Sequence, residues 1–168
     1  ASTCLNHLAQ SIGDTAFLSI RHRLDSICIA RQTGHHPIQV LSIDVGARRP
    51  LGAGVSGVAI LSCLSEAELQ PIIAANAKRL EQSSLTPERL IEKVRQATEL
   101  GYAYVQHGVM SGTSAVAVPV VNAQGNPQAA ITITAMSNRL DASRLPYVVE
   151  QMKAQASQLS RHADINCN

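Results

Sequence analysis

Hydrophobic residues in the first third of the chain recur first with a helical period and then in alternation with polar residues. Leu5, Leu8 and Ile12 share one face of a predicted helix, and Gly13 is placed to end it. The alternation that follows predicts two strands joined by a short turn. The elements expected here are a helix over 5–12, strands over 16–20 and 27–29, and a third strand over 38–44.

Three consecutive helices are predicted in the middle of the chain from their start and stop signals. Ser65 and Glu68 have the spacing of a capping box. Thr86 and Pro87 supply an N-cap and a proline at the first helical position, and Gly101 can end the same helix in a left-handed conformation. The predicted helices run over 54–64, 65–78 and 86–101.

The last third of the chain alternates again and ends in an amphipathic pattern. It predicts strands over 102–106, 115–121 and 129–136, and then a long helix whose apolar face runs over 145–159. Two clusters of strands with hairpin-length connections, separated by a run of helices, are typical of an α+β domain. We therefore expect one domain over 1–168, with an antiparallel sheet of about six strands flanked by helices.

The stretch from Gly52 to Gly57 reads GAGVSG and has the G-x-G-x-x-G spacing of dinucleotide-binding turns. A dinucleotide fold needs a strand directly before the turn and a parallel strand after one helix, whereas here Arg-Arg-Pro precedes the turn and three helices follow it. Val58 stands where a phosphate loop needs a lysine. No cofactor is therefore expected. What remains is a glycine-rich turn that starts a helix, where free backbone N–H groups favour an anion.

Composition narrows the function classes further. Only 2% of the residues are aromatic and the formal net charge is +2, which disfavours the stacking platforms and basic surfaces of nucleic-acid-binding domains. The four cysteines are widely spaced, so free thiols in a reducing cytoplasm are favoured over a disulfide or metal framework. Because no apolar run approaches the roughly 20 residues that span a bilayer, and no signal peptide is recognisable, we expect a cytoplasmic protein without membrane contact.

Residues that could bind a metal or catalyse a reaction have simpler structural explanations. His35 and His36 are adjacent, so on a strand they would point to opposite faces, and a turn before Pro37 accounts for them better. Ser56 lies at a helix start but lacks the spacing of a nucleophile elbow. Neither a metal site nor an enzyme is expected. His107 is either solvated or in contact with a ligand, and the sequence leaves both open.

Three stretches of the chain together resemble one protein family. They are GARRPLGAGVSGVA over 46–59, then Gly101-Tyr102 with Gly112 and AVPV over 117–120, and finally Gly125 with AAITIT over 129–134 and S-x-R-L over 137–140. Their order and spacing resemble the C-terminal effector-binding domain of the IclR family of bacterial transcriptional regulators. The resemblance extends from about Leu5 to Arg161.

This resemblance implies a GAF-like fold, assembly into dimers and often tetramers, and a pocket for a small organic acid effector that controls DNA binding. It also implies that DNA is contacted only through an N-terminal winged-helix domain, which is absent from 1–168. Two alternatives stay open at this stage. One is a GAF-like sensor module outside transcription, and the other is a thiol-dependent reductase on a GAF-like fold.

Carried over residue by residue, the resemblance implies a pocket between the glycine-rich helix start and the last strand. The backbone N–H groups near Val55 and Ser56 would hold the carboxylate of the effector. Thr132 and Thr134 match positions at which the family often has hydroxyl residues. Because they lie two residues apart on a strand, they point the same way and can both donate to one carboxylate.

Further positions complete the implied pocket. Ile38 and Leu41 match apolar wall positions, although a plain core role explains them equally well. Val105 and Gln106 replace a usual acidic pair, and Ala115 replaces a frequent cysteine. These departures lead to the hypothesis that the effector is larger and more hydrophobic than a two- or three-carbon keto acid, such as a branched or aromatic carboxylate. The effector, the target operon, the direction of regulation and the choice between dimer and tetramer are not determined by the sequence.

Overall fold

The computed structural model describes residues 2–108 and 110–165, which form five α-helices and six β-strands. In chain order these are α1 (Ser2–Ile12), β1 (Thr15–His22), β2 (Asp25–Gln32), β3 (Arg48–Pro50), α2 (Val55–Leu61), α3 (Glu66–Glu81), α4 (Pro87–Leu100), β4 (Ala103–Gln106), β5 (Thr113–Val121), β6 (Pro127–Met136) and α5 (Leu145–Ile165), with a short 3-10 turn (Ser137–Arg139) before α5. The predicted α+β class is confirmed.

The strands form one antiparallel sheet in the order β3-β2-β1-β6-β5-β4. β1 and β6 lie side by side at its centre although they come from opposite ends of the chain. Their register places Phe17 opposite Thr132 and Thr15 opposite Thr134. On the other side of β6, Ala115 lies opposite Thr134. This register aligns the residues of the candidate site across neighbouring strands.

Helices cover both faces of the sheet. α1 and α5 pack on one face, where Leu8, Ile131 and Met152 belong to one buried cluster. α2, α3 and α4 pack on the other face, where Ile60 and Ala130 belong to a second cluster. Adjacent residues of β6 therefore contribute to opposite clusters, as the pleat of a strand requires.

The local signals at helix ends are confirmed. The Ser65 N–H donates to a Glu68 carboxylate oxygen at 3.2 Å. The Thr86 hydroxyl accepts from the Arg89 N–H at 3.3 Å, and Gly101 ends α4 with a left-handed φ of 75°. These contacts span only three or four residues, which is why the sequence predicts them well.

The third strand predicted over 38–44 is wrong. That segment is an irregular loop, and the third strand is Arg48–Pro50, which pairs with 25–27 of β2. Pro50 has no backbone N–H to contribute, and it ends a short strand at the edge of the sheet, where proline is tolerated. The loop over 33–47 instead makes its hydrogen bonds to side chains and to scattered backbone groups, among them those of Gly13 and of Cys28 in β2.

Gln39 fastens this loop to the junction between α1 and β1. Its side-chain nitrogen donates to the carbonyls of Gly13 at 3.0 Å and His36 at 2.6 Å. Its side-chain oxygen accepts from the Thr15 hydroxyl at 2.8 Å and from the Gly34 N–H at 3.2 Å. Two donors and two acceptor positions of the amide are thereby used.

Asp14 joins the end of α1 to the start of α5. Its side chain is 1% exposed and lies 2.8 Å from Arg139 Nε and 3.1 Å from Arg144 Nη1. Both guanidinium groups also donate to the carbonyl of Ile12, at the C-terminal end of α1, where positive charge is favourable. The hydrogen bond to Asp14 is the main cause that raises the pKa of Arg139.

Candidate functional site

A small cavity lies on the face of the sheet that α2 covers. One wall is formed by Val40, Ser42 and Ile43 of the loop, and another by residues 53–56 at the start of α2. The cavity has a volume of about 70 Å³ and a mostly apolar lining. Its floor consists of side chains from four neighbouring strands: Phe17, Ser19, Val105, Ala115, Thr132 and Thr134.

The structure brings most of the predicted site residues together. Six of the eight line this cavity: Val55, Ser56, Val105, Ala115, Thr132 and Thr134. The predicted wall position of Ile38 and Leu41 is wrong, because neither lines the cavity and their exposed fractions are 55% and 48%. Val40 and Ile43 of the same loop line it instead. Because the segment is not a strand, the alternation of its residues does not predict which side chains point toward the cavity.

The two threonines of β6 differ in their hydrogen bonding. The Thr134 hydroxyl donates to the Val40 carbonyl at 2.7 Å, so it is not free to donate to a carboxylate as expected. The Thr132 hydroxyl oxygen is buried and has no hydrogen-bond partner among the described residues. A buried hydroxyl without a partner is costly, and it lines a cavity in which a ligand could satisfy it. Thr132 is therefore the polar centre of the floor.

The glycine-rich turn leaves the start of α2 open. Gly54 precedes the helix with a φ of 88°, and no side chain caps it. In the described structure the N–H groups of Val55 and Ser56 have no acceptor, as expected for the first helical turn. A Cβ at Gly57 would lie 2.6 Å from the Gly52 nitrogen, so this close approach of two backbone segments requires glycine. The glycines thus position free N–H groups at the cavity wall.

Arg49 is a site residue that the sequence reasoning missed. Among the described residues that line the cavity, it is the only charged one. Its Nη2 donates to the Ser42 carbonyl at 3.2 Å, and Nη1 lies 3.8 Å from the point where a Cβ on Gly54 would stand. No carboxylate in the described parts of the chain pairs with it, whereas its neighbour Arg48 pairs with Asp25 at 3.2 Å. The guanidinium therefore lies beside the open start of α2.

A larger groove of about 420 Å³ lies elsewhere, at the far end of the β1–β2 hairpin. It is lined by Arg21, Arg23, Glu68 and the turn before β6, and it is shallow, polar and open to solvent. None of the predicted site residues contributes to it. Ligand sites are usually concave and mostly apolar with a few convergent polar groups, a description that fits the smaller cavity.

The size of the cavity bears on the expected effector. A volume of about 70 Å³ accommodates roughly five to seven water-sized groups at ~10–15 Å³ each. The apolar lining agrees with the hypothesis of a hydrophobic effector. The loop carries Val40 and Ile43 into the space, so the cavity as it stands favours a compact effector over a large or aromatic one.

The histidines lie outside the cavity lining. His107 has a left-handed φ of 56° and is exposed beside Gly108, which does line the cavity. His35 and His36 lie in a bend, and the Ile38 N–H approaches the His36 ring at 3.2 Å, so a turn explains them. Within 2–108 and 110–165, no group of three or more His, Cys, Asp or Glu residues is placed to hold a metal ion.

Comparison with known proteins identifies the family. The model for the C-terminal domain of the bacterial transcriptional regulator IclR matches residues 1–161. The chain belongs to the IclR family.

Several IclR-family regulators are similar to this chain. The HTH-type transcriptional regulator KipR of Bacillus subtilis is 26% identical over 167 residues, covering 96% of this chain and 65% of KipR. XynR of Escherichia coli is 28% identical over 163 residues, covering 94% of this chain and 63% of XynR. The chain thus spans less than two thirds of these regulators.

The crystal structure of Thermotoga maritima IclR shares the fold of this chain. The TM-score is 0.84 at 22% identity, with 96% of this chain and 66% of that chain covered. The fold that the family resemblance implies is therefore confirmed.

Two thiols of this IclR-family chain are held in their protonated form. Burial is the main cause that raises the pKa of both Cys28 and Cys63 above the ordinary value of 9.0. A thiol that stays protonated at neutral pH is a poor nucleophile, so these two residues do not favour a reductase. Cys4 is also a free thiol, and Cys167 lies outside the described residues. The similar proteins are named as transcriptional regulators rather than enzymes.

None of the helices in the described part of the chain is both long and apolar enough to cross a membrane.

Proposed function

We propose that this chain is the ligand-sensing domain of an IclR-type transcriptional regulator, and that its effector is a small organic carboxylate bound in the cavity beside α2. The carboxylate lies between the N–H groups of Val55 and Ser56 and the hydroxyl of Thr132. Its apolar body rests against Val105 and Ala115. Binding changes how an N-terminal winged-helix domain of the full-length protein contacts DNA.

The unpaired hydroxyl of Thr132 is the single observation that carries this proposal. The Thr132 side chain is buried in a cavity whose lining is mostly apolar, and its oxygen has no partner among the residues described. A carboxylate oxygen in the cavity would accept the hydrogen bond that the protein leaves unmade. Apolar cavities with a few precisely placed polar groups are the usual form of small-molecule sites.

Calorimetric titration of this chain tests the proposal. The acids are glyoxylate, pyruvate, isobutyrate and benzoate, which increase in size or in apolar character. We expect isobutyrate to bind most tightly, because it has as many non-hydrogen atoms as pyruvate but a less polar body. Benzoate is expected to bind weakly, since it exceeds the space between the sheet and the loop. Tightest binding of glyoxylate or pyruvate would refute the apolar effector, and no binding of any acid would refute the carboxylate site.

A variant of Thr132 tests whether the acid binds in this cavity. Thr132→Val keeps the shape of the side chain and removes the hydroxyl, and it should weaken isobutyrate binding by about ten- to hundredfold, the range of one hydrogen bond to a charged group. Ser143→Ala, a change in the exposed turn before α5 at a residue that does not line the cavity, serves as the control. Unchanged affinity in Thr132→Val would place the acid elsewhere.

Assembly and DNA binding form the wider part of the proposal. We propose that the chain forms homodimers or homotetramers in the cytoplasm and contacts DNA only through the winged-helix domain. Light scattering of the purified chain measures its oligomeric state, and a monomer at all concentrations would contradict the assembly. A DNA mobility-shift assay on the full-length protein, with and without isobutyrate, measures whether the acid alters DNA binding.

A further inference from the structure

We infer that Arg49 is the specificity-determining residue that makes this cavity select anionic ligands. The inference rests on the proposed function and adds what that proposal leaves open, namely which group senses the charge of the effector. It concerns a side chain on the edge strand β3, which lines the cavity together with the start of α2 and the threonines of β6.

Arg49 differs from most arginines in the charges that surround it. Arg48, Arg79, Arg139 and Arg144 each pair with a buried aspartate, and Arg31 and Arg95 pair with acidic side chains near the surface. In the residues that the structure describes, Arg49 has no acidic partner and a single acceptor, the Ser42 carbonyl. Four of its five N–H donors therefore remain available.

The alternation of β3 determines where this charge points. Arg48 and Arg49 are adjacent on a strand, so their side chains leave opposite faces of the sheet. Arg48 reaches Asp25 at 3.2 Å, whereas Arg49 lines the cavity. Arg49 is only partly exposed, and its surroundings are mostly apolar, which strengthens its attraction for an anion relative to bulk water.

One other feature makes the same volume suitable for an anion. The guanidinium lies beside Gly54 at the cavity wall. Independently, the buried Thr132 hydroxyl lines the same cavity and has no partner among the residues that the structure describes. An arginine fork binds a carboxylate through two parallel hydrogen bonds, and its remaining N–H groups can keep the bond to Ser42. Binding an anion therefore need not release the loop.

A double-mutant-style cycle tests this inference by varying the charge of the ligand and the side chain at position 49. Isobutyrate and isobutyramide have nearly the same shape and differ in charge. Their dissociation constants are measured for the wild-type chain, Arg49→Gln, Arg49→Lys and the control Arg89→Gln. Arg89 is exposed on α4 and makes no ion pair among the residues described, so its loss changes net charge alone.

The expected result is a loss of charge discrimination. Arg49→Gln should weaken isobutyrate binding by about ten- to hundredfold, the range of a hydrogen bond to a charged group, and leave isobutyramide binding within about twofold. Arg49→Lys should retain part of the preference, because the charge stays and the planar fork is lost. Arg89→Gln should bind both ligands as the wild type does. Circular dichroism of each variant verifies that it is folded.

The opposing outcomes separate the two proposals. Equal weakening of acid and amide in Arg49→Gln, or unchanged isobutyrate affinity, would overturn the role of Arg49 while leaving the cavity as the ligand site. Wild-type protein that binds the amide as tightly as the acid would also overturn it. If neither ligand binds the wild-type chain, the proposed carboxylate site itself fails, and the inference fails with it.

Discussion

Replacing either threonine of β6 by valine tests the hydrogen-bond assignment at the cavity floor. Valine matches the shape of threonine and is equally suited to a strand, so the main change in each variant is the hydroxyl. Thr132 and Thr134 lie two residues apart on the same face and are both buried, with exposed fractions of 7% and 4%. The two substitutions therefore form a matched pair.

From the structure we expect the two substitutions to change the free energy of unfolding in opposite directions. In Thr132→Val a buried hydroxyl without a partner is replaced by a methyl group, which should raise the free energy of unfolding by about 1 kcal/mol. In Thr134→Val the Val40 carbonyl loses its donor while it stays buried, which should lower the free energy of unfolding by about 1–3 kcal/mol. A change of about 1 kcal/mol corresponds to roughly 2–4 °C in a domain of this size.

Urea denaturation of the ligand-free chain, followed by circular dichroism, measures both values, and thermal unfolding supplies the change in Tm. Equal slopes with denaturant establish that the variants unfold from comparable states. Equal destabilisation by the two substitutions would refute the reasoning, because it would mean that the Thr132 hydroxyl is also satisfied in the folded protein.

Three further predictions concern the framework and the thiols. Asp14→Asn should lower the free energy of unfolding by about 2–3 kcal/mol, which thermal unfolding measures. This is less than the loss expected on breaking a fully buried ion pair, because Arg139 and Arg144 keep some contact with water. Gly57→Ala should destabilise by about 2 kcal/mol or more in urea titration, since its Cβ would meet the Gly52 nitrogen at 2.6 Å; the roughly 1 kcal/mol gain usual for this change in a helix would contradict the close approach. Folding raises the pKa of the Cys28 and Cys63 thiols, so as the pH rises the unfolded chain loses these two protons before the folded chain does. The stability that the two protonated thiols contribute is therefore complete below the ordinary pKa of 9.0, and it declines as the pH rises through the pKa values of the folded chain. Denaturation at pH 8 and pH 10 measures the decline, and iodoacetamide labelling at pH 8 with mass spectrometry should find both thiols slower in the native than in the unfolded chain.

Features determined by neighbours in the sequence were predicted well. The capping contacts at Ser65 and Thr86 and the left-handed end at Gly101 depend on residues three or four positions away. The alternation along β5 and β6 likewise places Ala115 and Thr132 on one face without further information. The α+β class follows from the order of these elements.

Features determined by distant contacts were not predicted. The loop over 33–47 resembles a strand in its sequence, but Gln39 directs it through bonds to Gly13 and Thr15, which are 26 and 24 residues away. The bond from Thr134 to Val40 spans 94 residues. Arg49 was missed because a strand of three residues is too short for its alternation to be recognised.

The attachment of the loop by Gln39 gives the cavity wall a fixed end, and a second fixed end lies past the cavity. Residues 39 and 40 are held by the saturated amide and by Thr134, and residues 46 and 47 are held by backbone hydrogen bonds to Cys28 of β2 at 2.7 and 3.0 Å. Between these ends the wall is held by weaker arginine contacts, from Arg49 to the Ser42 carbonyl at 3.2 Å and from Arg31 to the Ile43 carbonyl at 3.5 Å. A somewhat larger molecule is therefore expected to displace this middle section first, at a cost of about 1 kcal/mol for each bond released. The upper size limit of the site then depends on two arginines rather than on its buried floor.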